Sequence, residues 1–233
     1  MKIELFNIDC MEYMATQPDN AFDLAVVDPP YGRNEHGGID RTRSVKQKNG
    51  NILYCSDGGY EKKDWDRAPP KPEYFAELAR VSKHQIIWGM NYYDVPLVGG
   101  AIVWDKVNDG SHQSQCEIAY CSLNNKVNIV RYMWRGMMQG ESIHNGTKQQ
   151  GNKRLNEKRI HPTQKPVKLY EWLLTKHAKK GQKILDTHLG SASSAIAAHY
   201  FGCDFVGCEL DSDYYSAAQI RFDEETSQLA IFG

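Results

Sequence analysis

The chain contains the run Leu24-Ala25-Val26-Val27-Asp28-Pro29-Pro30-Tyr31-Gly32, in which apolar residues end abruptly at an acid, two prolines and an aromatic ring. An apolar run of this kind is typical of a strand buried on both faces, as in parallel sheets, and it predicts a strand over residues 22–27. Asp28 would then stand at the carboxyl end of the strand, where open α/β sheets bind ligands. The prolines fix the backbone and present their carbonyl groups and the Tyr31 ring rigidly. A proline turn with a solvated acid is the alternative for these residues taken alone.

Length and composition narrow the class of protein. The 233 residues fit one α/β domain, and 28 basic residues against 29 acidic ones leave the overall charge without a preferred partner. The six cysteines form no C-x-x-C pair, and the first residues show no signal-peptide core. No apolar stretch approaches the roughly 20 residues of a membrane span. We therefore expect a soluble cytoplasmic protein that does not enter a membrane.

Periodicity and turn residues predict alternating strands and helices. Residues 32–71 lack a sustained period and predict a long loop, of the kind that serves an active site or a ligand. The final segment predicts a surface helix. The remaining predicted strands are 2–8, 85–88, 100–104, 116–121, 183–186 and 204–208, and the predicted helices are 10–16, 72–83, 167–179, 195–201 and 211–225.

Basic residues concentrate in two segments. Residues 124–160 carry eight basic residues against two acids, and residues 41–48 carry no acid. Interleaved aromatic residues make 124–160 a candidate nucleic-acid surface, with a solvated basic face as the alternative. The candidate nucleic-acid contacts are Arg41, Arg43, Lys148, Lys153, Arg154, Lys158 and Arg159.

Two acids at successive predicted strand ends, Asp186 and Glu209, flank a turn of small residues that opens a helix. Small residues let backbone amides approach a ligand, and the second acid suits ribose hydroxyls. The turn is not G-x-G-x-x-G and has no P-loop lysine, which disfavours a pyrophosphate. A nucleoside that carries a charged amino acid fits better, and an ordinary βαβ crossover is the alternative.

Several motifs together resemble the S-adenosylmethionine-dependent DNA amino-methyltransferases, which methylate N6 of adenine or N4 of cytosine. Asp28-Pro29-Pro30-Tyr31 matches the catalytic tetrapeptide of that family. Residues 186–193 resemble its D-P-F-x-G-S-G-T cofactor loop, and residues 161–166 resemble the segment before its cofactor-binding helix. The catalytic motif precedes the cofactor loop, which is the permuted order of the β group.

The resemblance implies a single doubly wound, Rossmann-like domain over residues 1–233, with a mixed, mostly parallel sheet and helices on both faces. It makes 32–71 an active-site or DNA loop and 124–160 the target-recognition segment. The implied catalytic residues are Asp28, Pro29, Pro30 and Tyr31. The implied contacts to S-adenosylmethionine are Asp9, Lys165, Asp186, His188, Gly190, Ser191 and Glu209, with Lys165 at the amino-acid end of that molecule.

The chain departs from the family pattern at Thr187, His188 and Ala192. Ala192 replaces a glycine, which is tolerated if φ is negative there. His188 either stacks on the cofactor or packs within the loop. No nearby His or Cys gives it metal-ligand spacing, so we expect no metal. Trp88 and Asn91, at the end of another predicted strand, are further candidates for the pocket wall, with a strand-end turn as the alternative.

The implied reaction is methylation of N6 of adenine in double-stranded DNA, with S-adenosylhomocysteine as the product. The base would be flipped out of the duplex and stacked on Tyr31. N4-cytosine methylation is the first alternative, because cytosine enzymes more often carry Ser in place of Asp28. A non-catalytic nucleic-acid-binding module and RNA methylation are others. A homodimer and a companion restriction nuclease stay open.

Overall fold

Backbone pairing arranges the chain around one large sheet. The computed structural model describes residues 1–34, 43–46, 50–55, 63–110, 113–135 and 138–227. Within these ranges, eight strands form one sheet, and two further sheets have two strands each. In chain order the strands are β1 (Ile3–Asn7), β2 (Leu24–Val27), β3 (Arg43–Lys46), β4 (Ile52–Cys55), β5 (Gln85–Trp88), β6 (Gly100–Asp105), β7 (Cys116–Cys121), β8 (Val127–Arg131), β9 (Trp134–Arg135), β10 (Met138–Gln139), β11 (Lys183–Asp186) and β12 (Asp204–Glu209).

The large sheet is mostly parallel. Its strand order is β1-β12-β11-β2-β5-β7-β6-β8. Among these described strands, β7 alone is antiparallel to its two neighbours, while the other pairings are parallel. The carboxyl ends of β1, β12, β11, β2 and β5 therefore lie at the same edge of the sheet, which is where ligands bind in such folds.

Helices cover both faces of the sheet. The α-helices are α1 (Cys10–Ala15), α2 (Pro72–Val81), α3 (Val167–His177), α4 (Ser193–Phe201) and α5 (Ser212–Ser227). Alternate side chains of β2 divide between the two faces: Leu24 and Val26 join the core beneath α3 and α4, and Ala25 and Val27 join the core beneath α1 and α2. All four are at most 1% exposed, which explains the continuous apolar run. The predicted fold class is confirmed.

The structure differs from the predicted elements in several places, among them β8, an edge strand of the large sheet that was not predicted. β2 begins at Leu24, because Phe22 forms only an isolated bridge with Ser82. The predicted loop 32–71 contains the antiparallel pair β3–β4, whose four-residue strands are too short to show a clear alternation. The helix predicted to lie on the surface, α5, buries Tyr214, Ala218 and Arg221. No helix among the described residues is long and apolar enough to cross a membrane.

Candidate active site

Four neighbouring strands, β1, β12, β11 and β2, bring their carboxyl ends and acidic residues to one edge of the sheet. A cavity of about 1050 Å³ opens there. Because the strands are parallel and adjacent, residues far apart in the chain border the same space. The cavity is lined by every predicted cofactor residue except Asp186, namely Asp9, Lys165, His188, Gly190, Ser191 and Glu209.

Asp186 lies behind the wall of this cavity, not in it, and is 1% exposed. Its carboxylate accepts hydrogen bonds from the Ser194 hydroxyl at 2.5 Å and from the His188 backbone N–H at 3.0 Å. Burial raises the pKa of Asp186 to about 7, although these two donors oppose the rise. The Asp186 side chain therefore stabilises the turn between β11 and α4 from its buried side.

Glu209 and Asp9 hold the neighbouring backbone segments. Glu209 accepts hydrogen bonds from the N–H groups of Gly190 at 2.8 Å and Asp211 at 3.0 Å, and burial raises its pKa. Asp9 caps α1 by accepting the Met11 N–H at 2.7 Å. Gly190 has φ +54°, and a Cβ placed there would meet no other atom closer than 3.9 Å. The turn thus leaves open space over Gly190.

Ala192 does not have the negative φ expected for an alanine in this position. Its φ is 60°, in the left-handed region, where a side chain costs roughly 1–2 kcal/mol. The residue is fully buried, and its backbone accepts the N–H of Ile196 and donates to the carbonyl of Leu189, each at 3.0 Å. The tight entry into α4 imposes this conformation.

His188 lies at the cavity with a neutral ring. It packs edge-on against Tyr74, with centroids 5.4 Å apart, and its Nδ1 is hydrogen-bonded to the Thr187 hydroxyl at 2.9 Å. Burial lowers the pKa of His188 to about 4. The ring therefore offers the cavity an aromatic edge without charge. No group of three metal-ligating side chains occurs in the part of the chain that the structure describes.

The opposite wall is aromatic and was not predicted from the sequence. His161 lies between Trp65 and Tyr214, at centroid distances of 5.1 Å and 4.3 Å. Lys63 forms ion pairs with Asp211 at 2.9 Å and with Asp213 at 2.5 Å. These contacts attach the segment before α2 to the start of α5 beside the cavity.

Asp28 stands at the inner end of the cavity with both carboxylate oxygens engaged. The Tyr31 hydroxyl donates to Oδ1 at 2.7 Å, and the Lys165 ammonium donates to Oδ2 at 2.5 Å. Lys165 is 4% exposed and also contacts Glu117, at 2.9 Å. Burial raises the pKa of Asp28, and the charge of Lys165 opposes that rise. Lys165, predicted near the amino-acid end of the cofactor, thus places its ammonium group on the Asp28 carboxylate.

Aromatic rings hold the tetrapeptide from the side of β5. Tyr31 stacks on Tyr92, with centroids 4.9 Å apart and ring planes 20° apart. Tyr93 donates a hydrogen bond to the Pro29 carbonyl at 3.0 Å. Gly89 has φ +78°, and a Cβ there would come within 2.2 Å of the Tyr31 ring. Glycine is therefore required at the end of β5 for Tyr31 to occupy its position.

A second cavity, of about 450 Å³, lies on the other side of Asp28. Asp28, Pro30, Trp65, Thr163, Gln164 and Lys165 border both cavities. Many of the other residues around the second cavity are aromatic or charged, among them Tyr31, Arg33, Tyr92, Trp104, Lys106, Glu117, Trp134 and Arg159, and Pro29 also borders it. Of the additional candidates, Trp88 is fully buried in the core and Asn91 is exposed, and neither is among the residues that line the two cavities described here.

Comparison with known proteins identifies the family. Residues 40–220 match the N6/N4 family of DNA methylases. The chain belongs to this DNA methylase family. Among its relatives, the type II methyltransferase M.HinfI of Haemophilus influenzae is 24% identical over 255 residues, covering 93% of this chain and 67% of that protein. The type II methyltransferase M2.DpnII of Streptococcus pneumoniae is 23% identical, covering 96% and 91%.

Solved structures show the same fold as this DNA methylase. The crystal structure of the M1.HpyAVI–SAM complex superposes with a TM-score of 0.53 at 17% identity, covering 94% of this chain and 99% of that one. The PvuII DNA methyltransferase, which is cytosine-N4-specific, gives 0.55 at 12% identity, covering 97% and 91%. The resemblance seen in the sequence is confirmed at the level of family and fold.

The candidate DNA contacts of the methylase occupy different environments. Lys153, Arg154 and Lys158 are exposed, the first two in a single 3₁₀ turn. Lys148 is exposed and paired with Glu141 at 2.9 Å. Arg159 instead packs over the Trp134 ring, 4.3 Å from its centroid, and borders the second cavity. For Arg43 only the backbone, in β3, is described, and Arg41 lies outside the described residues.

Proposed function

We propose that this DNA methylase transfers a methyl group from S-adenosylmethionine to N6 of adenine in double-stranded DNA. The observation that carries the proposal is that two cavities meet at Asp28. A methyl transferase must bring a donor and an amine together at one point. The larger cavity, bordered by the strand-end acids, is assigned to the donor, and the smaller aromatic one to the base.

The residues of the larger cavity suit S-adenosylmethionine. The open space over Gly190 accepts a ligand close to the backbone, and Glu209 stands where a carboxylate can bind ribose hydroxyls. Asp9 is assigned to the adenine end and Gly190 to the methionine end, where Asp186 acts on the charged ligand from behind the wall of the cavity. S-adenosylmethionine supplies an electrophilic methyl group on a positively charged sulfur. When the C–S bond breaks, the sulfur keeps the electron pair, and the leaving group is S-adenosylhomocysteine.

Asp28 is assigned to the amine. The exocyclic nitrogen is a poor nucleophile because its lone pair is delocalised into the ring. If Asp28 and the Pro29 carbonyl accept its two N–H groups, the nitrogen becomes pyramidal and its lone pair points at the methyl group. A carboxylate oxygen and a carbonyl oxygen each have room for a second donor beside those seen here. The methylated nitrogen is acidic and then loses its proton to Asp28 or to water, so catalysis is mainly positioning and electrostatics.

The smaller cavity is assigned to a base flipped out of the duplex. Aromatic rings at its wall supply stacking surfaces, which are worth about 1–3 kcal/mol per base in other nucleic-acid complexes. Because Tyr92 covers one face of Tyr31, the base has only the other face of that ring available. The Asp in the tetrapeptide favours adenine over cytosine.

Expression of the chain in a host without adenine or cytosine methylation, followed by sequencing of modified bases, tests this function. We expect N6-methyladenine in a defined sequence context. N4-methylcytosine is the second candidate, supported by the likeness of fold to the cytosine-N4-specific PvuII enzyme. Unmodified DNA, together with failure to bind S-adenosylmethionine, would favour the non-catalytic nucleic-acid-binding alternative.

The affinity for S-adenosylmethionine should fall as the pH is lowered through about 7. The positively charged ligand favours ionised Asp186, whose pKa in the free protein is about 7. A decrease of up to tenfold per pH unit is expected below that value. Burial lowers the pKa of His188 to about 4 and that of His161 to about 3, so these rings stay neutral in this range. Equilibrium dialysis between pH 5.5 and 8.5 measures the effect.

Asp186→Asn should remove this pH dependence, because an amide does not titrate. The exposed acid Asp94 provides the control, and Asp94→Asn should keep the wild-type profile. A pH profile that is the same in the wild type and in Asp186→Asn would contradict the role given to Asp186.

Charge reversal of Arg154 and Lys158 to Glu should weaken DNA binding. Each basic residue on a phosphate contributes close to one unit to the slope of log affinity against log salt, so we expect the slope to fall by about two. Lys179→Glu with Lys180→Glu is the matched control, because these exposed lysines precede β11 and lie away from the carboxyl ends of the strands. Fluorescence anisotropy at several salt concentrations checks the result. An equal loss of DNA affinity in both double variants would indicate a general charge effect. It would mean that the DNA surface lies outside residues 124–160.

A further inference from the structure

Four charged side chains form a nearly buried cluster at the point where the two cavities meet. Lys165, with a side chain 3% exposed, contacts Asp28 at 2.5 Å and Glu117 at 2.9 Å, and donates to the Tyr31 hydroxyl at 3.0 Å. Its three ammonium protons therefore have three acceptors. This lysine is fixed in place and shared between two carboxylates.

Glu117 connects the cluster to the antiparallel part of the sheet. It lies on β7, and its Oε1 is paired with the ammonium of Lys106, which directly follows β6. Its Oε2 accepts a hydrogen bond from Lys165 and lies 3.1 Å from the Tyr31 hydroxyl, whose single proton is shared between Glu117 and the closer Asp28. Two acids and two bases balance, which is the condition under which buried charges are tolerated.

Sharing Lys165 has a consequence for Asp28. If Lys165 were paired with Asp28 alone, its ammonium group would interact more strongly with the carboxylate. The carboxylate would then be a weaker hydrogen-bond acceptor for the target amine. Here Glu117 competes for the same ammonium group and is itself anchored by Lys106. We propose that Glu117 is a positioning residue of the methyl transfer, which holds Lys165 between two carboxylates so that Asp28 stays oriented and free to accept the target amine. This inference rests on the proposed function.

The charges around the cluster agree with this arrangement. Although burial raises it, the pKa of Glu117 is lowered to about 2 by Lys165 and Lys106. Glu117 therefore stays negative throughout the range in which an enzyme is assayed. Its negative charge raises the pKa of Asp28, while Lys165 lowers it. The titratable groups that face Asp28 are Tyr31 beside it, Lys165 before α3, Glu117 on β7, Asp186 on β11, Tyr74 on α2, Tyr93 after β5 and Tyr170 on α3.

Two substitutions should therefore move the titration of Asp28 in opposite directions. Glu117→Gln removes a negative charge and makes Asp28 the remaining carboxylate beside Lys165, so the pH midpoint of the Asp28 titration should fall. Lys165→Met removes the positive charge from a buried carboxylate, so the midpoint should rise. An opposite charge at this distance shifts a carboxyl by about one unit or more. Lys165→Arg keeps the charge and should stay close to the wild type.

Carbon-13 NMR of the aspartate carboxyl groups in the ligand-free protein measures the midpoint, with Asp28→Asn assigning the signal. The rate of methyl transfer to unmethylated genomic DNA gives a second measurement. Because Asp28 must be ionised, the acid limb of the rate profile should move to lower pH in Glu117→Gln and to higher pH in Lys165→Met. The KM for S-adenosylmethionine should stay within about twofold of the wild type in Glu117→Gln, since Glu117 does not border the larger cavity.

The ion pair between Lys168 and Glu171 on α3, at 2.8 Å, supplies the matched controls. Lys168→Met and Glu171→Gln remove the same charges elsewhere and should leave the titration and the rate profile unchanged. Suppose that the wild type transfers methyl groups but the titration midpoint of Asp28 is the same in the wild type, in Glu117→Gln and in Lys165→Met. The inference is then wrong and the proposed function stands. If the wild type methylates no DNA, the proposed function fails and the inference fails with it.

Discussion

Replacement of Asp28 with Asn should reduce methyl transfer by about two to three orders of magnitude, the loss typical when one group that stabilises a transition state is removed. The amide has nearly the shape of the carboxylate but only one acceptor oxygen and no charge. It also leaves Lys165, which now contacts Asp28 at 2.5 Å, with Glu117 as its remaining carboxylate. The lone pair of the target amine would lose its main orienting acceptor.

Binding of S-adenosylmethionine to Asp28→Asn should stay within a few fold of the wild type, because the residues assigned to the donor, at or after the ends of β1, β11 and β12, are unchanged. Transfer of a labelled methyl group to DNA and equilibrium dialysis of the donor separate the two effects. Asp94→Asn, at an exposed acid in the turn that follows β5, should match the wild type in both. Wild-type rates in Asp28→Asn would remove this residue from the chemistry.

Replacement of Arg221 with Met should destabilise the fold by about 3–5 kcal/mol, the cost of breaking a buried ion pair from one side. Arg221 is 5% exposed and extends from α5. It contacts Glu157 at 3.2 Å and donates to the Ser191 carbonyl at 2.6 Å and the Ser193 hydroxyl at 2.9 Å. Glu157 also accepts the N–H of Val167 at the start of α3. One guanidinium group therefore joins α5, the cofactor loop and the entry into α3.

Urea denaturation followed by circular dichroism measures this loss. Arg131→Met breaks an exposed pair with Asp105, 3.3 Å apart, and should cost less than about 1 kcal/mol. The double variant Arg221→Met with Glu157→Gln should be less destabilised than Arg221→Met alone, because it no longer leaves a carboxylate buried without its cation. A loss for Arg221→Met as small as that of the exposed control would show that the pair is not important for stability.

Local sequence was sufficient for the parts of the site that follow directly from strand ends. The apolar run before Asp28 predicted β2, and two acids 23 positions apart predicted the ends of β11 and β12. These predictions succeed because a parallel strand buried on both faces requires apolar residues throughout, and its end can be read from the first acid. The family resemblance added the order of the motifs.

Side-chain partners could not be predicted in the same way. The sequence gives no sign that Asp186 lies behind the cavity wall while Glu209 lines the cavity, since both are acids at strand ends. Glu117 is a single acid inside an otherwise ordinary strand, and Arg221 is a single cation on a helix that looked exposed. Each becomes important only through residues that packing brings to it.

The sequence by itself determined the class of fold, the order of the motifs along the chain, and Asp28 as an acid at the carboxyl end of a buried strand. The tertiary structure alone decided which charges surround that acid. Lys165 is 137 positions away from Asp28 in the chain and Glu117 comes from an antiparallel strand, yet all three meet within hydrogen-bonding distance. The hydrophobic pattern of a strand or helix can be read from residues that are close in the chain. The partner of a buried charge depends instead on which distant elements pack against it.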